Sequence, residues 1–140
     1  MNVDFVYNTD FKLNNEAETT QWINAFCKSE GFSIDSLVFA FFNDKELKDL
    51  NVKFLNHDYF TDVISFDESY DGFVKGNIAI SIDRVKENAS EFSCSFDDEL
   101  RRVIIHGVLH FMGFNDKTDD EKKKIKEKEN FAIEMFHVKR

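Results

Sequence analysis

The chain has 140 residues, a formal net charge of −9 and 42% apolar residues, with its charges spread along the sequence and not gathered in a tail. This excludes a disordered polyelectrolyte, and residues 1–140 are expected to bury one core as a single domain. The negative balance also opposes long-range attraction of a polyanion, so any contact with nucleic acid must depend on local basic groups.

Val3, Phe5 and Tyr7 predict a first strand, followed by a helix that Asn14 or Asn15 caps, with Trp22, Ile23 and Phe26 on its apolar face and Gly31 as its stop. Leu37 to Phe42 is a continuous apolar run, read as a strand buried on both faces. Asn43 with Glu46 resembles a capping box for a helix that places Leu47, Leu50 and Phe54 on one side and ends near Asn56. Thr61 to Phe66 and FVKGNIAISI, ending at Ile82, read as two strands joined by the loop holding Asp67, Glu68, Asp71 and Gly72. Asp83 to Ala89 predicts a short helix. Ser95 with Asp98 starts another, whose apolar positions are Leu100, Val103, Ile104 and Val108. Thr118 with Glu121 opens the last helix, striped by Ile125, Ala132, Met135 and Phe136. About four strands and four or five helices imply an α+β layer structure.

The N-terminal ten residues, with Asp4 among them, lack a basic start followed by an apolar run, so no signal peptide is expected, and no segment approaches membrane-spanning length. Cys27 and Cys94 form no CxxC pair and are expected as reduced thiols in a cytoplasmic protein.

The chemistry is concentrated in HGVLHFMGFNDKT, His106 to Thr118. A spacing of four residues stacks His106 and His110 on one helix face, where a single ion can bridge both imidazoles. Gly113 permits the positive dihedral that ends a helix, so the chain can turn back and present Asp116 as a third ligand while a fourth position stays open for water. Asp119 is an alternative ligand, though as the start of the next helix it also suits that helix's N-terminus. A protease HExxH motif carries glutamate after its first histidine; here Gly107 stands there, which argues against peptidase chemistry. The basic groups available for a polyanion are Arg101, Arg102, the run Lys122, Lys123, Lys124, Lys126 and Lys128, and the terminal Lys139 and Arg140. The alternative reading of the lysine run is a solvated face paired with Glu121, Glu127 and Glu129.

HGVLHFMGFND resembles the HGxLHLxGYDH signature of the YbeY family of bacterial endoribonucleases and rRNA maturation factors. LNVKFLNHDYFTDVISF, Leu50 to Phe66, is similar to the family segment ending in TDVLSF, and GNIAIS, Gly76 to Ser81, to its GDIxIS strand. The resemblance implies a zincin-like fold, a small mixed sheet packed by helices with a metal-binding helix, and zinc held by three histidines. It also implies cleavage of single-stranded RNA, 3′-end processing of 16S ribosomal RNA, ribosome quality control, and the ribosome or its small subunit as partner. His106 and His110 carry over as ligands. Asp116 stands in place of the third histidine, preceded by Asn115 where aspartate is usual; two imidazoles and a carboxylate remain an ordinary zinc set, with one divalent ion, Zn2+, as the expected cofactor. Where relatives carry arginine after the aromatic of LNxxYR, this chain has Leu55, which cannot stabilise an anion; His57, Arg101 and Arg102 are candidate substitutes. As a lone histidine, His57 also reads as an exposed loop residue. Thr61, Asp62, Ser65 and Asn77 are candidate cleft residues, or else turn and strand-end residues making local hydrogen bonds. The expected function is a zinc-dependent single-strand endoribonuclease. Its rivals are a metal-stabilised ribosome-associated binding factor with little nuclease activity and a hydrolase of another substrate.

Overall fold

The computed structural model describes residues 2–138; Lys139 and Arg140 lie outside the described residues. In chain order the elements are β1 (Val3–Tyr7), α1 (Glu16–Ser29), β2 (Ser33–Phe42), α2 (Asp44–Leu55), β3 (Val63–Asp67), β4 (Phe73–Ser81), α3 (Ile82–Glu91), α4 (Phe96–Phe111) and α5 (Asp119–Val138). The sheet order is β1-β2-β4-β3; β1 and β4 run parallel to β2, and β3 runs antiparallel to β4. The fold is therefore α+β with a four-stranded mixed sheet and five helices, as the sequence pattern and the resemblance implied.

One sheet face carries Leu37, Phe39, Phe41, Val74, Ile78 and Ile80, packed with residues of α1, α4 and α5 into the main core. The other face is covered by α2, where Leu47 packs against Ile64 and Ala79. Phe54, expected on the same side of α2 as Leu47 and Leu50, meets Phe66 edge-on beside that cluster but stays exposed.

Several expected boundaries shift for local reasons. β2 begins four residues before the apolar run, because Ser33 and Ile34 already pair with Phe73 and Val74. It is not buried on both faces: Leu37, Phe39 and Phe41 are buried while Val38, Ala40 and Phe42 are half-exposed, since α2 covers its side less fully. β3 begins at Val63, not Thr61. β4 stops at Ser81, one residue before Ile82, because the Ser81 hydroxyl accepts from the Arg84 amide and caps α3. That cap also lengthens α3 beyond the expected Asp83 to Ala89. Asn15 occupies the α1 cap position, but its side chain meets the Thr19 hydroxyl and no helix amide.

Two glycines let α4 lie close on the sheet. A Cβ on Gly107 would come within 3.0 Å of Ile78, and a Cβ on Gly76 within 2.9 Å of the Phe111 ring. The glycine of the helix motif thus packs on the strand motif, and the glycine of the strand motif under the helix. Gly107 faces the sheet, so a glutamate there could not serve the site.

Candidate metal centre

His106 and His110 project from the last turns of α4, and its termination places both the ring of His110 and the third donor. The amide of Phe114 donates to the Leu109 carbonyl and that of Gly113 to the His110 carbonyl, with Gly113 at φ +94°. This pair of bonds is a Schellman motif, which reverses the chain after the helix. At the start of α5 a reciprocal capping box holds the other end of the bend. The Thr118 hydroxyl accepts from the Glu121 amide, and the Glu121 carboxylate accepts from the amides of Thr118 and Lys117. Asp116 is carried on the short bend between these two structures.

The His106 and His110 Nε2 atoms are 3.0 Å apart, and each is near an oxygen of Asp116, at 3.4 and 3.5 Å. Tetrahedral zinc with bonds of about 2.0–2.1 Å requires donor separations of roughly 3.3 Å, so the three groups fit such an ion without rearrangement. Among the described residues they are the group of three His, Cys, Asp or Glu side chains able to hold a metal.

Both imidazoles are held through their far nitrogens. His110 Nδ1 bonds the Phe114 carbonyl at 3.1 Å, so it is the protonated nitrogen, and Nε2 keeps its lone pair for the centre. His106 Nδ1 lies 2.8 Å from a Glu129 carboxylate oxygen. Outer partners of this kind set the tautomer and ring orientation of metal-binding histidines. Glu129 is in turn bonded by Arg102 at 3.2 Å and is buried.

Burial works against a charge on His106. The hydrogen bond and charge of Glu129, with Asp116 and Asp62 behind, outweigh it and hold the metal-free imidazole above the ordinary histidine range. Two effects of opposite sign follow. A group whose pKa is raised by folding stabilises the fold fully below its unfolded value, about 6.5, and loses that contribution as pH rises through the folded value. Metal-free protein should therefore lose thermal stability as pH rises through that window. Metal binding requires the neutral imidazole, so apparent metal affinity should rise over the same interval. Thermal melts and competition titrations with and without zinc from pH 6 to 8 measure both, and parallel trends would contradict the Glu129–His106 coupling.

The histidine end opens into a cavity of about 680 Å³, lined in part by Asp62, Val63, Phe92, Arg102, Lys122 and Glu129. Of the sequence-predicted cleft residues, Asp62 lies in this wall. Thr61 bonds the Val63 carbonyl through its hydroxyl and lies outside the lining. Ser65 pairs with Ile78 on the α4 face of the sheet but also lies outside the lining. Asn77 pairs with Phe66 on the face covered by α2, opposite the histidines, because strand alternation turns it away from Ile78. His57 is exposed and stacks on Tyr59, and neither it nor Leu55 lines the cavity. Of the two arginines, Arg102 lines it, whereas Arg101 pairs with Asp98 and packs on the Phe136 ring. Among the described residues no ion pair joins the lysine run to Glu121, Glu127 or Glu129: Glu129 turns inward to His106, Glu121 closes the capping box, and Lys128 instead meets Glu30. Glu129 is the residue that sequence reasoning missed. Its spacing within the stripe of Ile125 and Ala132 was the available signal, since a carboxylate on an apolar face needs a buried partner.

Two imidazoles and one carboxylate leave a tetrahedral position free, the donor pattern used by metal-dependent hydrolases and not by closed structural sites. The family model described as endoribonuclease YbeY matches residues 5–137. Proteins named endoribonuclease YbeY include one from Flavobacterium johnsoniae, 41% identical over 136 residues that cover 97% of this chain and 98% of the relative. Another, from Christiangramia forsetii, is 43% identical over 136 residues, 97% of this chain and 95% of the relative. A Thermotoga maritima protein solved in solution superposes with a TM-score of 0.74 at 27% identity, over 98% of this chain and 90% of that one. The chain belongs to the endoribonuclease YbeY family.

Proposed function

We propose that this protein is a metal-dependent endoribonuclease that hydrolyses single-stranded RNA, with zinc held by His106, His110 and Asp116. The observation that carries the reading is the convergence of those three donor atoms with both far imidazole nitrogens already engaged. The names of the relatives supply the substrate class. By the same likeness the cellular task is 3′-end maturation of 16S ribosomal RNA and ribosome quality control, in contact with the small subunit. No helix among the described residues is long and apolar enough to cross a membrane, and Cys27 and Cys94 are free thiols. Both agree with a cytoplasmic setting.

A bound divalent ion supplies Lewis acidity toward a phosphoryl oxygen and lowers the pKa of water in its shell. The chain's own groups do the rest. Glu129 and the Phe114 carbonyl keep the two Nε2 lone pairs aimed at the centre. Asp62 stands in the cavity wall, where burial pushes its carboxyl up against the lowering pull of His106, backbone amides and Arg84. A carboxyl so placed is suited to hold or pass a proton. Arg102 adds positive charge to the floor, although much of it is spent on Glu129.

The second reading, a ribosome-associated binding factor with little cleavage, is favoured by the neutral Leu55 in the place of the family's arginine. One experiment separates them. Chelated protein should leave a single-stranded precursor of the 16S 3′ end intact, and stoichiometric zinc should restore cutting. Undiminished cleavage by the metal-free protein contradicts the mechanism, while a zinc-loaded protein that binds the RNA and leaves it whole supports the binding factor.

A further inference from the structure

The cavity extends well past the metal ligands, and its two ends differ in charge and polarity. Its floor is one stripe of α4, His106, Val103, Arg102 and Glu99, at the spacing of a single helix face. From His106 to Glu99 is two turns, about 10 Å along the axis, room for one nucleoside with its phosphate. Helix α5 runs back antiparallel along this floor, as the bonds of Glu129 to His106 and of His137 to Asp98 show. Lys122 and Lys126 precede Glu129 in that helix and so lie toward the Asp116 end.

Both lysines line the cavity, and neither forms an ion pair with any described residue, whereas Lys128 is bound to Glu30 at 2.9 Å. At the opposite end stands Phe92, the C-terminal cap of α3. This residue is 64% exposed yet lines the cavity, with no aromatic partner among the described residues. The Glu99 carboxylate, also in the lining, is buried, with Arg102 and Cys94 each 3.8 Å from one of its oxygens. A phosphate is therefore drawn to the lysine end, where the two cations are unpaired, because the lining cation toward Glu99, Arg102, is already paired with Glu99 and Glu129. A flat apolar ring has the reverse preference. The cavity volume lies in the range of pockets that enclose a small organic molecule, about 300–1,000 Å³.

We propose that this groove is a nucleotide subsite that takes one unstacked residue of a single-stranded RNA, its base against Phe92 and its phosphate toward Lys122 and Lys126. The inference rests on RNA being the substrate and adds the orientation of the strand across the site. It also supplies a physical reason for selecting single strands: a paired and stacked base cannot present its face to Phe92, whereas an unstacked one can. On a chain of net charge −9, the attraction comes from these two lysines and the metal end, so it is local and sensitive to salt.

The test is stopped-flow anisotropy of a fluorescent single-stranded RNA hexanucleotide with zinc-loaded protein, read before turnover, together with the same oligonucleotide made abasic at each position in turn. Base stacking on an aromatic side chain is worth about 1–3 kcal/mol, so Phe92→Ala should weaken binding about tenfold and Phe92→Trp should hold wild-type affinity. Zinc content should be unchanged in both variants. One abasic position should weaken the wild type by a similar factor and add nothing in Phe92→Ala. Lys122→Glu with Lys126→Glu should lower affinity and flatten its salt dependence. Wild-type affinity in Phe92→Ala, penalties that multiply between that variant and every abasic position, or no binding by the wild type overturns the subsite. Binding that depends on Phe92 without any cleavage supports the subsite and overturns the hydrolase reading.

Discussion

Replacing His110 by alanine is expected to abolish stoichiometric zinc binding and RNA cleavage together while leaving the fold intact. The side chain is partly exposed, so its removal opens no buried cavity. What it removes is one of three donors, together with the Nδ1 bond to the Phe114 carbonyl. The two donors that remain, His106 and Asp116, are an incomplete set for a tetrahedral ion. Glu129→Gln makes a graded comparison, because an amide oxygen still accepts from His106 Nδ1 but no longer carries the charge that complements it. Loss of such an outer partner typically costs about 10–100-fold in metal affinity or activity. Elemental analysis and cleavage assays on both variants should therefore rank wild type above Glu129→Gln and Glu129→Gln above His110→Ala. If His110→Ala binds a full equivalent of zinc, the assignment of the centre is wrong.

The second large effect is expected far from any ligand, at Gly76→Ala. Gly76 sits in β4 at φ +151°, and a Cβ there would lie 2.2 Å from the Phe66 carbonyl oxygen and 2.9 Å from the Phe111 ring. The oxygen is backbone of the paired strand and the ring is core, so neither can yield without moving β3 or α4. Overpacking of this severity, added to the unfavourable dihedral, should cost about 3–5 kcal/mol, a large part of the stability of an ordinary domain. For a chain of this size that is a fall in Tm of roughly 10–15 °C. Gly31→Ala is the control: its φ is +84° but nothing lies within 4 Å of the added Cβ, so only the backbone cost of about 1 kcal/mol applies. Thermal melts of the two variants, loaded with the same metal, measure the difference. A Gly76→Ala protein that melts with Gly31→Ala would show that the sheet relaxes away from α4.

Gly76 and Gly107 show why part of this protein was legible early. Both belong to motifs that sequence alone picks out, but their spacing carries no sign that each glycine is the close-approach point for the other motif's element. The same holds for the elements. Capping residues such as Ser95 and Thr118 start their helices where local hydrogen bonding demands it, because those bonds are made within three or four residues. Ile82 reads from sequence as the end of a strand because the apolar alternation runs on to it, whereas the bond from the Arg84 amide to the Ser81 hydroxyl ends β4 at Ser81 and makes Ile82 the first residue of α3.

The sequence by itself determined the elements that depend on near neighbours: the helix that stacks His106 over His110, the glycine turn after it, and the carboxylate that the turn presents. It determined the family as well, through three motifs in order. Only the tertiary structure decided which other residues share that centre. Glu129 reaches His106 across a gap of 23 positions, Asp62 enters from the segment before β3, and Asn77 is sent to the opposite face by a one-residue alternation in β4. The physical reason is range: capping and helical stacking act over a single turn of chain, whereas the partners of a buried charge are chosen by how α4, α5 and the sheet pack together.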